Sequence, residues 1–194
     1  MPANFFSKED EMCRLAALTS AKYFSPIENV IALETMKEGH DGSGMGLILK
    51  DLGGDFKDLK SYPILSGICS KDGISALDSY MDELGFRLKH EWSPKIHPVK
   101  GINKRDHYFA RAYDYPDEYK GRSLEERESL LLNTRVALRK MGESDESIIV
   151  FAFYPDIIAL KEVGDPMQLG EFFGLDNSSL KAKVILAQGR QNTN

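Results

Sequence analysis

Apolar residues in this chain fall into short runs punctuated by Gly, Pro and charged clusters, and two periods recur. Residues 14–19 form an apolar-rich run free of Gly and Pro, which predicts a buried strand. Ser25-Pro26-Ile27-Glu28 then supplies an N-cap, a proline at the first helical position and a capping-box glutamate. A helix is therefore expected from Pro26 to about Glu38, with Ile27, Val30, Ile31 and Met36 on its apolar face and Gly39 ending it. Leu47-Ile48-Leu49 reads as a second strand between a glycine cluster and the Gly53-Gly54 turn, and residues 63–68 as a third. Asp72 is the expected cap of a helix whose Ile74, Leu77, Met81 and Leu84 recur at helical spacing before Gly85.

Farther along, 86–92 and 106–113 predict strands. The clearest helix is 124–141: Ser123 and Glu126 make a capping box, Leu124, Leu131 and Leu138 recur every seven residues, and Gly142 follows the end. The β-branched and aromatic run 147–154 predicts a central strand, with another at 157–161. Asp165-Pro166 opens a short helix that ends near Gly174, and residues 182–190 predict a closing strand. Helices and strands mix without a regular βαβ rhythm, so the fold class expected is α+β, with a layered αββα sandwich favoured over a doubly wound parallel sheet. Neither an internal repeat nor a convincing linker divides the chain, because the loop at 93–105 is too short to require a boundary.

Composition narrows the function classes. A net charge of −5 over 194 residues argues against a nucleic-acid partner, which would need a basic face to neutralise phosphates. No apolar run approaches the ~20 residues that cross a bilayer, so no membrane partner is expected. The leader Met1–Glu11 has no apolar segment of signal-peptide type, and a cytoplasmic protein is expected. Cys13 and Cys69 have neither the spacing nor the number of a disulfide framework.

Among residues that could carry chemistry, the glycines of His40–Gly46 fail the dinucleotide fingerprint in spacing and in order, since a helix precedes them and a strand follows; a tight turn into a strand fits better. Four histidines, at 40, 90, 97 and 107, show no zinc-binding spacing, and no metal is expected. A G-x-S-x-G elbow is missing too. Cys13 is different. Were the chain to begin there, its own α-amine, with a pKa of ~8, would lie beside the thiol and serve as its base without a histidine. Residues 1–12 would then be a leader or propeptide ahead of a domain at 13–194.

The segments "MCRLAALTS", "ALETMKEGHDGSGMGLILKDLGG" and "ILAQGRQNTN" resemble, in order and over nearly the whole chain, the amidotransferase component of split, archaeal-type glutamate synthases, class II glutamine amidotransferases. The resemblance implies an N-terminal-nucleophile hydrolase: a four-layer αββα sandwich, incomplete at its C-terminus, with Cys13 as the catalytic nucleophile. "GRQNTN" resembles the family's R-[YF]-S-T-N stretch, which implies that Arg190 and Thr193 hold the α-carboxylate of glutamine, with Asn194 beside them. "EGHDGSGMG" resembles the H-R-G-x-D-S-x-G segment with Asp41 in place of the arginine and a shorter spacing, leaving His40, Asp41, Gly42 and Ser43 as candidate lining residues. Glutamine would be hydrolysed to glutamate, and ammonia passed to a glutamate-synthase-like synthase subunit. That partner, not this chain, is expected to carry FMN and an iron-sulfur cluster.

One element of the family pattern is missing. Its oxyanion donors come from an Asn-Gly pair downstream of R-x-S-T-N, yet none of the seven asparagines here precedes a glycine. An incomplete sandwich is expected to leave an unpaired sheet edge and uncovered apolar surface. The alternatives kept open are a catalytically silent scaffold or regulatory subunit, and ammonia supply to another acceptor such as methylamine; homo-oligomerisation is also left open.

Overall fold

The computed structural model describes residues 14–36 and 44–189. Its elements run β1 (Arg14–Phe24), α1 (Pro26–Glu34), β2 (Met45–Gly53), β3 (Pro63–Cys69), α2 (Lys71–Glu83), β4 (Arg87–Trp92), β5 (His107–Asp114), α3 (Leu124–Met141), β6 (Ile148–Pro155), β7 (Ile157–Glu162), α4 (Pro166–Phe172) and β8 (Lys181–Gly189). Two four-stranded sheets result, ordered β1-β8-β2-β7 and β4-β5-β3-β6. Every pairing is antiparallel. The fold is thus α+β with two antiparallel sheets and four α-helices among the described residues.

Register decides which side chains of the first sheet face inward. Directly opposed residues in neighbouring strands share a face. Ala16, Ala187, Leu47 and Leu160 form one row, and Leu18, Ile185, Leu49 and Ile158 the next. Apart from Leu18 these side chains are buried in the larger core, together with Val30 and Leu33 of α1, Leu169 and Phe172 of α4, and Ile64, Tyr108 and Ala110 of the second sheet. The alternating row, Ala17, Leu186, Ile48 and Ala159, lies on the other face. That face is open: Ile48 is 45% exposed and Leu15 62%. A groove runs between it and α3, lined by Ile48, Ala159, Leu132, Phe151 and Tyr154. A second core, with Leu65, Phe109 and Phe153 of the second sheet and Leu77, Met81, Leu131 and Leu138 of α2 and α3, fills the opposite side of that sheet.

Helix α1 departs from its expected face. Asn29 is fully buried and Ile31 is 49% exposed, the reverse of the apolar pattern. The reason is a pair of hydrogen bonds: Asn29 Nδ2 donates to Ala16 O at 3.2 Å and to Ile185 O at 2.9 Å, tying the helix to two adjacent strands. A buried amide that meets backbone carbonyls can lie where an isoleucine would satisfy nothing. Asn29→Ala is expected to destabilise the protein by about 1–3 kcal/mol, read from chemical denaturation; a change within error would show that these bonds contribute nothing. Ser25 does not cap the helix with its side chain; its Oγ donates instead to Leu175 O at 2.8 Å. The helix also ends sooner than predicted, at Glu34 with Thr35 as its C-cap rather than near Glu38.

Three other expectations need correction. Ser70, not Asp72, caps α2, its Oγ accepting from Gly73 N at 2.9 Å. Strand β6 lies at the edge of its sheet, whereas β3 is buried along its whole length between β5 and β6. Leu124 is 61% exposed: it begins α3 ahead of the turns that meet the sheet through Leu131 and Leu138. The capping box of Ser123 and Glu126 forms as the sequence predicts.

Candidate functional site

Cys13, His40, Asp41, Gly42, Ser43, Arg190, Thr193 and Asn194 all lie outside the described residues. Their chain neighbours do not. Cys13 is bonded to Arg14, the first residue of β1; Arg190 is bonded to Gly189, the last residue of β8; and Ser43 is bonded to Gly44, which leads into Met45 at the start of β2. Arg14 pairs with Gly189, Gly189 with Met45, and Met45 with Glu162 at the end of β7. The three segments carrying the candidate residues therefore join the first sheet at adjacent positions on one end of it, although up to 175 residues separate them (189 − 14).

This end row is buried throughout, Arg14 being 7%, Met45 2% and Glu162 8% exposed. Gly44 is required at the entry of β2: its φ is +139°, and a Cβ would come within 3.0 Å of Glu162 O. Glu162 Oε2 accepts from the Tyr108 hydroxyl at 2.6 Å, and its Oε1 from Val163 N at 2.8 Å. Burial, then the bond to Glu162, pushes the Tyr108 phenol well above its usual range, which keeps it a neutral donor. The Tyr108 ring stands edge-on to Phe172 and Phe173 at centroid distances of 5.6 and 5.3 Å. At the other end of the row Arg14 Nη2 is buried without a hydrogen-bond partner among the described residues.

The period-2 alternation of β1 could have found Arg14, since a charged residue shares its face with Ala16 and Leu18. Yet Leu15 and Ala17 make the opposite face equally apolar, so alternation did not choose. Nothing local marks Glu162 or Tyr108: they meet across 54 residues.

Cys69, the cysteine within the described residues, is fully buried in the second core. Burial pushes its thiol from an ordinary 9.0 up to about 12, with Arg111 opposing the shift. A thiol held protonated is a poor nucleophile, so this residue is structural. The unfolded thiol ionises near pH 9.0 and the folded one at about 12. The stabilisation this gives is complete below the lower value and is lost as pH rises through the interval. Stability should therefore fall across that window, and less steeply in Cys69→Ala; parallel pH profiles from urea unfolding would refute this.

No group of His, Cys, Asp and Glu among the described residues could hold a metal ion. Among the described residues no helix is long and apolar enough to cross a membrane. No family model matches the chain, and no curated protein matches it either.

Proposed function

We propose that the chain is the glutaminase component of a glutamate-synthase-like amidotransferase, built as an N-terminal-nucleophile αββα sandwich. The observation that carries this is the strand register: Arg14, Gly189 and Met45 are lateral neighbours, so the attachment points of Cys13, of the His40–Ser43 segment and of Arg190–Asn194 adjoin. A nucleophile, lining groups and a carboxylate fork drawn from distant parts of the sequence need such an arrangement. Two antiparallel sheets with helices α2 and α3 packed on one of them support the fold side of the reading.

In the proposed reaction the α-amine of Cys13, freed by loss of residues 1–12, takes the thiol proton. The thiolate attacks the side-chain carbonyl of glutamine, forming a C–S bond and an oxyanion. Collapse of that intermediate expels ammonia, which takes its proton from the α-ammonium group, and leaves a thioester. Water, deprotonated by the same amine, cleaves the thioester to glutamate and restores the thiol. Arg190 and Thr193 would hold the α-carboxylate throughout. A synthase partner with FMN and an iron-sulfur cluster would use the ammonia. The test is glutamate release from glutamine by purified protein whose first residue has been fixed by intact mass. Absence of hydrolysis by a chain beginning at Cys13, alone and with its partner, would sink the reading.

A second reading is a catalytically silent scaffold subunit. The open apolar face of the first sheet, with Leu15, Ala17, Leu186 and Ile48, favours it, because such a face suits coverage by another polypeptide. Retention of residues 1–12 on the mature protein would decide for this alternative.

A further inference from the structure

We propose that the groove between α3 and the first sheet receives an extended segment of a partner polypeptide, which adds to the edge of β6 and carries carboxylates among apolar side chains. Two clefts, of about 500 and 620 Å³, share Leu132, Arg135 and Phe151 and so form one groove. Residues 148–151 line the first and 151–154 the second. Successive side chains of a strand point to opposite faces, so a cleft lying on a face touches every other residue. A cleft that touches every residue runs along the edge. β7 shows the contrast: it lines the groove through Ile157, Ala159 and Lys161, alternate residues of one face.

That edge is open to pairing. β6 is the last strand of its sheet, and among the described residues its ladder with β3 is the only backbone pairing it makes. Exposed edges are ordinarily guarded by charge. The opposite edge of the same sheet follows the rule, since β4 carries Arg87, Lys89 and Glu91, whereas β6 has no charged residue. Two local features limit where a strand can add. A Cβ at Gly142 would collide with Ile148 O, so the end of α3 closes the start of the edge. The ladder also slips at Phe151, between the pairs Ser66–Ala152 and Gly67–Val150. Backbone pairing is therefore assigned to residues 152–154, and the segment continues past the bulge toward Arg139 and Lys161.

Charge and shape select the occupant. Arg135, Arg139 and Lys161 line the groove without an ion-pair partner among the described residues. Of the acids in the lining, Glu128 accepts from the Tyr154 hydroxyl and Glu146 holds Arg105 at 2.8 Å, which leaves Glu143 against three cations. Carboxylates on the incoming segment would answer this excess. Leu132 and Val136 of α3, 59% and 44% exposed, and Ile48 of the first sheet offer the apolar contacts. A second copy fits poorly: its own β6 edge lies between the same walls and brings the same positive charge. Strand addition combines main-chain hydrogen bonds with pockets for alternate side chains, as this groove provides. The proposal stands apart from the amidotransferase reading, because none of its residues belongs to the end row.

Selection of random displayed dodecapeptides on the full chain tests this, with calorimetry on synthetic copies of the enriched sequences. Those sequences should combine apolar residues with Asp or Glu. Affinity should fall at least about tenfold in the double variant Arg135→Glu/Arg139→Glu, whose side chains are exposed and whose fold circular dichroism should show unchanged. N-methylation of one alternate set of peptide residues should weaken binding by a similar factor, and of the other set should not, because only one set of N–H groups faces β6. The proposal is overturned if no sequence is enriched, if the enriched ones lack acids, if charge reversal leaves affinity unchanged, or if both N-methylated sets bind like the parent. It also fails if sedimentation shows wild-type self-association that the charge reversal alters, for the groove would then serve a second copy.

Discussion

Cys13→Ala should lower glutamine hydrolysis by about ten-thousand-fold or more, to background, because no other group in the chain can form the thioester. Cys69 cannot substitute, since burial in the second core holds its thiol protonated up to about pH 12. The variant should keep its fold: position 13 precedes β1, whose pairing with β8 begins at Arg14 and Gly189. Glutamine binding measured by calorimetry should therefore survive in Cys13→Ala while turnover disappears. Wild-type activity should also require removal of residues 1–12, because an acylated α-nitrogen is no base. Full activity in a chain that retains its leader, or in Cys13→Ala, would exclude the proposed chemistry.

Phe172→Ala should destabilise the protein by about 3–5 kcal/mol, the usual cost of truncating a buried phenylalanine. Phe172 is fully buried, and its ring lies edge-on to Tyr108 and to Phe173 at 5.6 and 5.1 Å. It joins α4 and the first sheet to the second sheet through one aromatic cluster, with His97 N donating to its carbonyl at 2.9 Å. At ~2–4 °C per kcal/mol for a chain of this size, the melting temperature should fall by roughly 6–20 °C. Since Tyr108 also holds Glu162, the same substitution should weaken ligand binding at the end row. A destabilisation below about 1 kcal/mol would mean that neighbours refill the space and that the cluster does not join the layers.

Helix starts with a self-contained chemical signal were legible in the sequence. Ser123 and Glu126 cap α3 by contacts within one turn, and nothing distant competes with them. Ser25 had the same local signal and lost it, because Leu175 O, 150 residues away in sequence, offered its hydroxyl a better partner. Strand positions were legible too, for β-branched runs between turns have few alternatives. Strand order was not. The run at β6 reads as a central strand, but β3 took the centre of that sheet, and β7 left for the other sheet to pair with β2.

Candidate chemistry divides along the same line. Residue type and local motif are enough to single out Cys13, the glycine-rich turn and the final Arg190–Asn194 stretch, since a motif is a property of neighbours along the chain. What the motif could not show is where the chain enters and leaves the sheet beside them, and there the register of three antiparallel strands places Arg14, Gly189 and Met45 side by side. Arg14, Asn29, Tyr108 and Glu162 acquired their roles only there. A charged or amide side chain is unremarkable until burial removes its water, and what then matters is which partner the tertiary structure supplies. For Asn29 it supplied two strand carbonyls, for Glu162 a phenol, and for the Nη2 of Arg14 no acceptor among the described residues.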